Sequence, residues 1–244
     1  MTEWSSDETA QKKQNFDLSF CEVKENIAAA AESVGKKADD IILLAATKTV
    51  PVEVINHAIR SGIKVIGENR VQELKEKYPD LDKTAEIHFI GHLQTNKVKD
   101  VVPLVSMIHS VSSLKLAKEI SKQCEKFNKP MDVLIEINIG NEESKSGFSA
   151  EEVEVEIEKV AALPHLSVKG LMAIPPADAE NSKNIEFFNK MYQLFIDIEA
   201  KKRDNVSMEY LSMGMSQDYA DAIRCGANIV RIGTTLFGNR IYKK

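Results

Sequence analysis

Several classes of protein are excluded by what this sequence has little of. Cysteine occurs only three times, at Cys21, Cys124 and Cys225. The number is odd and the spacings are wide, unlike those of a structural zinc site, so the cysteines are read as reduced thiols that pack in the interior. No apolar run approaches the roughly 20 residues needed to span a bilayer. The polar start, Met1 to Gln14, also lacks the apolar centre of a secretory signal, so a cytoplasmic location is expected and a membrane partner is not. Basic residues are in the minority, 32 Lys and Arg against 37 Asp and Glu, for a net charge of -5. That balance argues against nucleic acid as a partner, because non-specific binding to a phosphate backbone depends on accumulated positive charge. Linkers rich in Pro, Gly or Ser, low-complexity blocks and long internal repeats are also missing, which favours one domain.

What remains is ordinary globular material, 43% hydrophobic and 28% charged. The length of 244 residues suits one α/β barrel of roughly 250 residues, although two smaller domains would also fit. Met1 to Gln14 is polar with an isolated Trp4 and reads as a mobile tail, leaving residues 15–244 for the fold. From Ile41 onward one theme recurs: a short run of Val, Ile and Leu, a polar turn, then helical periodicity. Strands are predicted near Ile41 to Thr47, Lys64 to Gly67, Ile87 to Gly91, Met107 to Ser110, Val133 to Ile139, Val168 to Ala173, Glu209 to Met213 and Ile229 to Ile232. Continuous apolar runs suit strands buried on both faces, and eight βα units favour closure into a (β/α)8 barrel, with a doubly wound open sheet as the alternative.

The helices between these strands have readable ends. Pro51 fits the opening turn of one whose stripe is Ile55, Ala58 and Ile59 and whose stop is Gly62. Another spans Asn69 to Tyr78 with Val71 and Leu74 on one face, and a later one starts at Ser112 and carries Leu116, Ala117 and Ile120. The helix from about Ser182 to Arg203 has Phe188, Met191, Tyr192 and Phe195 as its buried stripe. An additional helix, Phe16 to Val34, precedes the first strand and turns Leu18, Val23, Ile27 and Ala30 inward, to close the barrel's bottom or side.

Lys48 follows the run I-I-L-L-A-A-T, which puts it at the C-terminal mouth of the first strand, where barrel active sites assemble. Desolvation there would favour the free amine that attacks an aldehyde. Taken alone it reads better as the first solvated loop residue. The weight comes from the other end of the chain, because barrels commonly bind phosphate after strands seven and eight. The turn S-M-G-M-S offers Gly214 for close backbone approach and Ser216 as cap of the helix opening at Gln217, Asp218 and Tyr219. The turn R-I-G-T-T offers Gly233, Thr234 and Thr235. Arg231 is a cation in an apolar strand and needs a partner, either a carboxylate such as Glu68 or Glu136, or a ligand. His88 and His92 straddle a strand end, where their spacing does not converge two imidazoles on a metal, so packing or loop roles are favoured. The polar stretch Asn138 to Gly147 reads as a flexible lid, and Lys145 within it as a solvated loop lysine rather than a second lysine for cofactor.

The stretches A-T-K-T-V at Lys48, G-E-N-R-V-Q-E from Gly67, H-F-I-G-H-L-Q-T-N-K from His88, G-L-M-A-I-P from Gly170, L-S-M-G-M-S from Leu211 and R-I-G-T-T-L-F-G from Arg231 occur in order over Phe16 to Arg240. Together they closely resemble the pyridoxal phosphate homeostasis protein family. The resemblance implies a barrel like the N-terminal domain of alanine racemase, with pyridoxal 5′-phosphate held as a Schiff base on Lys48. It also implies that turns containing Ser212, Gly214, Met215, Ser216, Gly233 and Thr234 surround the phosphate and that Arg231 faces the pyridine nitrogen. Asn69 matches a family asparagine near the ring, and Met172 lies on a strand whose end lines the pocket. An arginine does not readily give up its proton, so the pyridine nitrogen would stay unprotonated and the ring would be a poor electron sink.

The resemblance to alanine racemase stops before that enzyme's second domain with its catalytic tyrosine, so efficient two-base racemisation is not expected. The family implication is a non-enzymatic carrier or regulator in cofactor and amino-acid balance, serving pyridoxal phosphate-dependent apoenzymes, with weak amino-acid racemisation as the enzymatic alternative. A class I aldolase-like barrel would carry its lysine on strand six, where this chain has Met172 and Ala173. Without the racemase dimer interface, a monomer is expected.

Overall fold

The structure is a computed structural model that describes residues 5–142, 145–176 and 181–238, the side chains of residues 181 and 182 excepted. The strands are β1 (Ile42–Ala46), β2 (Val65–Glu68), β3 (Glu86–Phe89), β4 (Met107–Val111), β5 (Met131–Ile137), β6 (Leu166–Ala173), β7 (Val206–Ser212) and β8 (Ile229–Ile232). They pair in parallel in chain order, and β8 returns to β1 with Leu44 beside Arg231. The sheet is a closed barrel, not the open alternative. Between the strands lie α2 (Val52–Arg60), α3 (Val71–Lys77), α4 (Val98–Val101), α5 (Leu114–Phe127), α6 (Val153–Ala161), α7 (Asn181–Ala200) and α8 (Tyr219–Arg224), with α1 (Ser6–Glu32) before β1 and α9 (Thr234–Phe237) after β8.

Alternation along the strands splits the apolar residues into two sets. Ala45, Ile66, Phe89, Ile108, Val133, Ile135, Leu171, Val230 and Ile232 belong to the large core between strands and helices. Leu44, Ala46, Val65, Ile90 and Ile229, and separately Met107, Leu134 and Met172, form small clusters inside the barrel, with Tyr210 packed against both. The interior is therefore filled with side chains, and a ligand is confined to the mouth at the strand C-termini.

The N-terminal helix departs from expectation. Helix α1 begins at Ser6, so residues 6–14 are helical rather than a loose tail; Met1 to Trp4 lie outside the described residues. The cause is a capping box: Glu8 N donates to Ser5 Oγ at 3.1 Å and Ser5 N donates to Glu8 Oε2 at 2.8 Å. Its buried stripe is Phe16, Phe20, Val23, Ile27, Ala30 and Ala31, whereas Leu18 is 69% exposed. Leu18 is two residues, roughly 200° of helical turn, from Phe16, and cannot share its face. The stripe packs on α2, α8 and α9. Because α9 has only four residues, α1 supplies the missing cover on the barrel's side, stacking Phe16 on Phe237 at 5.4 Å.

Smaller corrections have local causes. Helix α5 is capped by Ser113, whose Oγ accepts from Leu116 N at 3.2 Å, rather than beginning at Ser112. In α7, Phe188, Met191 and Ile198 are buried, but Tyr192 is exposed with its ring against Gly226, and Phe195 is half-buried. Of the cysteines only Cys124 is buried; Cys225 is intermediate and Cys21 is exposed.

Candidate functional site at the barrel mouth

Lys48 sits two residues past the end of β1, following the inward-facing Ile42, Leu44 and Ala46, and is half-buried. The turn that holds it is fastened from outside. Val50 N donates to Thr47 O at 3.0 Å, and Lys77 Nζ on α3 donates to the same carbonyl at 2.8 Å. Thr49 adopts φ 62, a left-handed conformation that a β-branched residue resists, and its N–H donates to Glu73 Oε2 at 2.8 Å. Lys77 also pairs with Glu68 at 2.8 Å, and Glu68 Oε1 accepts from Thr47 Oγ1 at 2.7 Å. Burial pushes the Glu68 carboxyl above its ordinary pKa, with the Lys77 charge pulling the other way. The mouth of β1 is thus clamped by a buried ion pair. Sequence reading left Lys77 out, although it stands three residues after Leu74 on the apolar face of α3.

The turns after β7 and β8 meet. Gly214 has φ 87, and a Cβ there would lie 2.5 Å from Ala222 Cβ, so only glycine lets the turn fold onto α8. Ser216 does not cap α8. Its Oγ accepts from Gly233 N at 3.3 Å and Thr235 N at 3.2 Å, while Thr235 Oγ1 donates to Ser216 O at 3.2 Å. Having accepted twice, the Ser216 hydroxyl keeps its own proton for donation. Asp218 closes the first turn instead, accepting from Met215 N at 2.6 Å, and burial raises its carboxyl pKa. Gly233 lies against β1, its would-be Cβ 3.2 Å from Ala46 O, which brings this turn beside the strand that leads to Lys48. Met215, Ser216, Gly233 and Thr234 therefore belong to one joined pair of turns.

Arg231 faces inward and is 4% exposed. Neither Glu68 nor Glu136 is its hydrogen-bond partner: Nη1 donates to Ser212 O and Ser212 Oγ, both at 2.7 Å, and Nη2 donates to Ala173 O at 2.9 Å. Burial lowers its pKa to about 10, which still leaves it charged at neutral pH, with Asp218 and Glu136 favouring the charge. Ser212 is fully buried beneath this guanidinium, apart from the joined turns, and Met172 is packed in the barrel interior with Met107 and Leu134. Asn69 follows β2 at the mouth, where its backbone oxygen would lie 2.1 Å from a Cβ at Gly91.

The other sequence candidates separate. His88 lies within the barrel against His109, whereas His92 contacts Ser146 at the rim. Lys145 is half-buried, paired with Glu142, and donates to Pro175 O at 3.1 Å, rather than being a solvated loop lysine. Asn138 Nδ2 donates to Glu142 O at 2.9 Å, tying the described part of its loop; residues 143 and 144 lie outside the described residues.

An aromatic aldehyde phosphate fits this arrangement. Lys48 supplies an amine, Arg231 a fixed cation below the mouth, and Ser216 a spare hydroxyl proton. Asn69 Oδ1 and Glu136 Oε2, at the C-terminal ends of β2 and β5, are buried without a protein hydrogen-bond partner among the described residues. Buried acceptors of this kind are legible only once the fold is closed.

Comparison with known proteins agrees. The family described as alanine racemase, N-terminal domain, matches residues 20–240. The pyridoxal phosphate homeostasis protein of Aquifex aeolicus is 47% identical over 222 residues, covering 90% of this chain and 96% of that protein. The protein of the same name from Escherichia coli K12 is 38% identical, covering 92% and 97%. PipY of Synechococcus elongatus, solved with pyridoxal phosphate bound, superposes with a TM-score of 0.75 at 27% identity, over 87% of this chain and 100% of that one. An alanine racemase of Clostridium difficile shares the fold, with a TM-score of 0.70 at 20% identity, and is covered over only 57% of its length. The chain belongs to the pyridoxal phosphate homeostasis protein family, built on the alanine racemase N-terminal domain.

Proposed function

We propose that this protein binds pyridoxal 5′-phosphate at the barrel mouth and serves in intracellular homeostasis of that cofactor as a carrier and regulator rather than as an enzyme. The observation that bears most weight is the convergence of the Lys48 turn, Arg231 and the joined turns of Ser216 and Gly233 on one mouth. The name of the relatives and the cofactor in PipY support it. In this reading the cofactor supplies an aldehyde, which the Lys48 amine takes up as a Schiff base with loss of water. Met215, Ser216, Gly233 and Thr234 hold the phosphate, and Gly214 shapes their turn. Asn69 lies beside the ring, and Met172 with Ser212 forms the floor. Arg231 faces the ring nitrogen and, remaining charged, leaves that nitrogen unprotonated, which disfavours carbanion chemistry. The protein is read as a cytoplasmic monomer that exchanges cofactor with dependent apoenzymes.

The test is borohydride reduction of cofactor-saturated protein followed by peptide mass spectrometry. The visible band should disappear on reduction with the label on Lys48, and Lys48→Ala should lose both band and label. A Lys48→Ala protein that retained them would sink the assignment. Incubation with an L-amino acid should yield no D form; steady accumulation would favour the racemase reading.

Ser216→Ala is expected to weaken retention of the cofactor about tenfold, the loss of one good hydrogen bond to a charged group. Equilibrium dialysis measures this, and unchanged retention would remove Ser216 from the phosphate contacts.

A further inference from the structure

Behind Arg231 a chain of buried polar groups crosses the barrel interior. Ser212 Oγ lies 3.1 Å from His109 Nδ1, His109 Nε2 lies 3.0 Å from His88 Nδ1, and His88 Nε2 lies 3.1 Å from Glu86 Oε2. His109 is fully buried and His88 is 3% exposed, while the Glu86 side chain reaches solvent at the start of β3, the end opposite the mouth. The links come from β3, β4, β7 and β8, so only barrel closure assembles them.

The two ends fix the direction. Arg231 can only donate and an ionised Glu86 can only accept. With both rings neutral, Glu86 requires the His88 hydrogen on Nε2 and leaves His88 Nδ1 to accept from His109 Nε2. The Ser212 hydroxyl, whose oxygen takes the Arg231 N–H, therefore gives its single proton to His109 Nδ1. His109 must then carry its hydrogen on Nε2 and give it to His88 Nδ1, and His88 in turn carries its hydrogen on Nε2 and gives it to Glu86. We infer that Glu86, His88, His109 and Ser212 form a directional hydrogen-bond wire and that His109 is a positioning residue for Arg231. It holds the Ser212 hydroxyl as an acceptor for the guanidinium and keeps that hydroxyl's proton away from the ligand.

A neutral His109 suits its surroundings. Burial holds His109 well below the ordinary imidazole pKa, and the Arg231 charge adds to the effect. The His88 hydrogen bond holds the Glu86 carboxyl below its usual range, keeping it an acceptor. The other charged or titratable groups around the wire are Asp132 on β5, Lys169 on β6, and Glu209 and Tyr210 on β7, where Lys169 pairs with Glu209 at 2.8 Å. Glu136 adds its field to that of Asp218 at the Arg231 end.

As a role toward the cofactor this inference rests on the function proposed above, but the wire itself can be tested without ligand. Ring-nitrogen NMR of protein labelled with 15N-histidine, recorded at neutral pH, should show His88 and His109 each as a single neutral form protonated on Nε2. A proton on Nδ1 of either, or a mixture of tautomers, overturns the wire. His109→Phe keeps a planar ring and removes both nitrogens. With folding verified by thermal melting, this variant should retain pyridoxal phosphate about tenfold less tightly and shift the pH profile of the bound absorption band. Wild-type retention and profile in that variant would overturn the positioning role. If the unmodified protein took up no cofactor, the functional proposal would fail while the tautomer measurement still decided the wire.

Discussion

Replacing Gly170 by alanine is expected to lower stability by about 4 kcal/mol or more, enough to prevent accumulation of folded protein at 37 °C if the margin is ordinary. Gly170 has φ 150, and a Cβ on it would lie 1.8 Å from the Tyr210 carbonyl oxygen and 3.0 Å from Tyr210 N. These are backbone atoms of the neighbouring strand, so no rotamer change relieves the clash and β6 would have to leave β7. The glycine stands at a bulge where the register shifts against both β5 and β7. The bulge changes which side chains face inward. Val168 and Leu171, three residues apart, both lie in the outer core, and Met172 is then turned into the barrel beneath the mouth. Urea denaturation of soluble or refolded Gly170→Ala measures the effect. A loss below about 1 kcal/mol would show that the strand pair tolerates the added carbon and that the bulge is not set by this residue.

Lys77→Met is expected to cost about 3 kcal/mol at neutral pH, because it leaves Glu68, with 0% side-chain exposure, as a buried carboxyl without its cation. Burial already raises the pKa of Glu68, and Lys77 is the largest influence opposing that rise, so its removal moves the value further up. A carboxyl whose folded pKa exceeds its unfolded value binds its proton more tightly when folded. Its stabilising contribution is complete below the unfolded pKa of about 4.3 and is lost as pH rises through the folded value. The deficit of Lys77→Met should therefore be small in acid and grow toward neutral pH. Denaturation of variant and wild type at pH 5 and pH 8 decides the matter, and an equal deficit at both would contradict a buried carboxylate as its cause. Because Lys77 also holds the Thr47 carbonyl, the variant should lose part of the reductive label at Lys48 even where it remains folded.

Much of the site was legible in the chain because chemistry and backbone needs coincide there. Gly214 stands where a side chain would collide, Gly233 where one would fit only tightly against β1, and Arg231 interrupts an apolar strand, which an unpaired cation cannot do. Ser216 was legible as a polar residue at a turn, but not in its role. Its position suggests a helix cap, whereas its hydroxyl reaches a turn 17 residues away, and no local pattern encodes that distance. The capping box at Ser5 and Glu8 was readable and outweighs the polarity that suggested a tail.

The sequence by itself determined the number and order of the strands and the longer helices between them, because apolar runs buried on both faces and helical stripes with caps are local consequences of the backbone's need for hydrogen bonds and of apolar burial. It also determined the family and pointed to Lys48, Ser216, Arg231 and Gly233, which the fold brings toward one mouth. Only the tertiary structure decided barrel closure, the bulge that turns Met172 inward, and the joining of the two turns. The same holds for the Glu68 and Lys77 clamp beneath Lys48 and the polar chain from Glu86 to Arg231. Most of these contacts join elements distant in sequence, where leaving a buried polar group unpaired would cost more than any local preference returns.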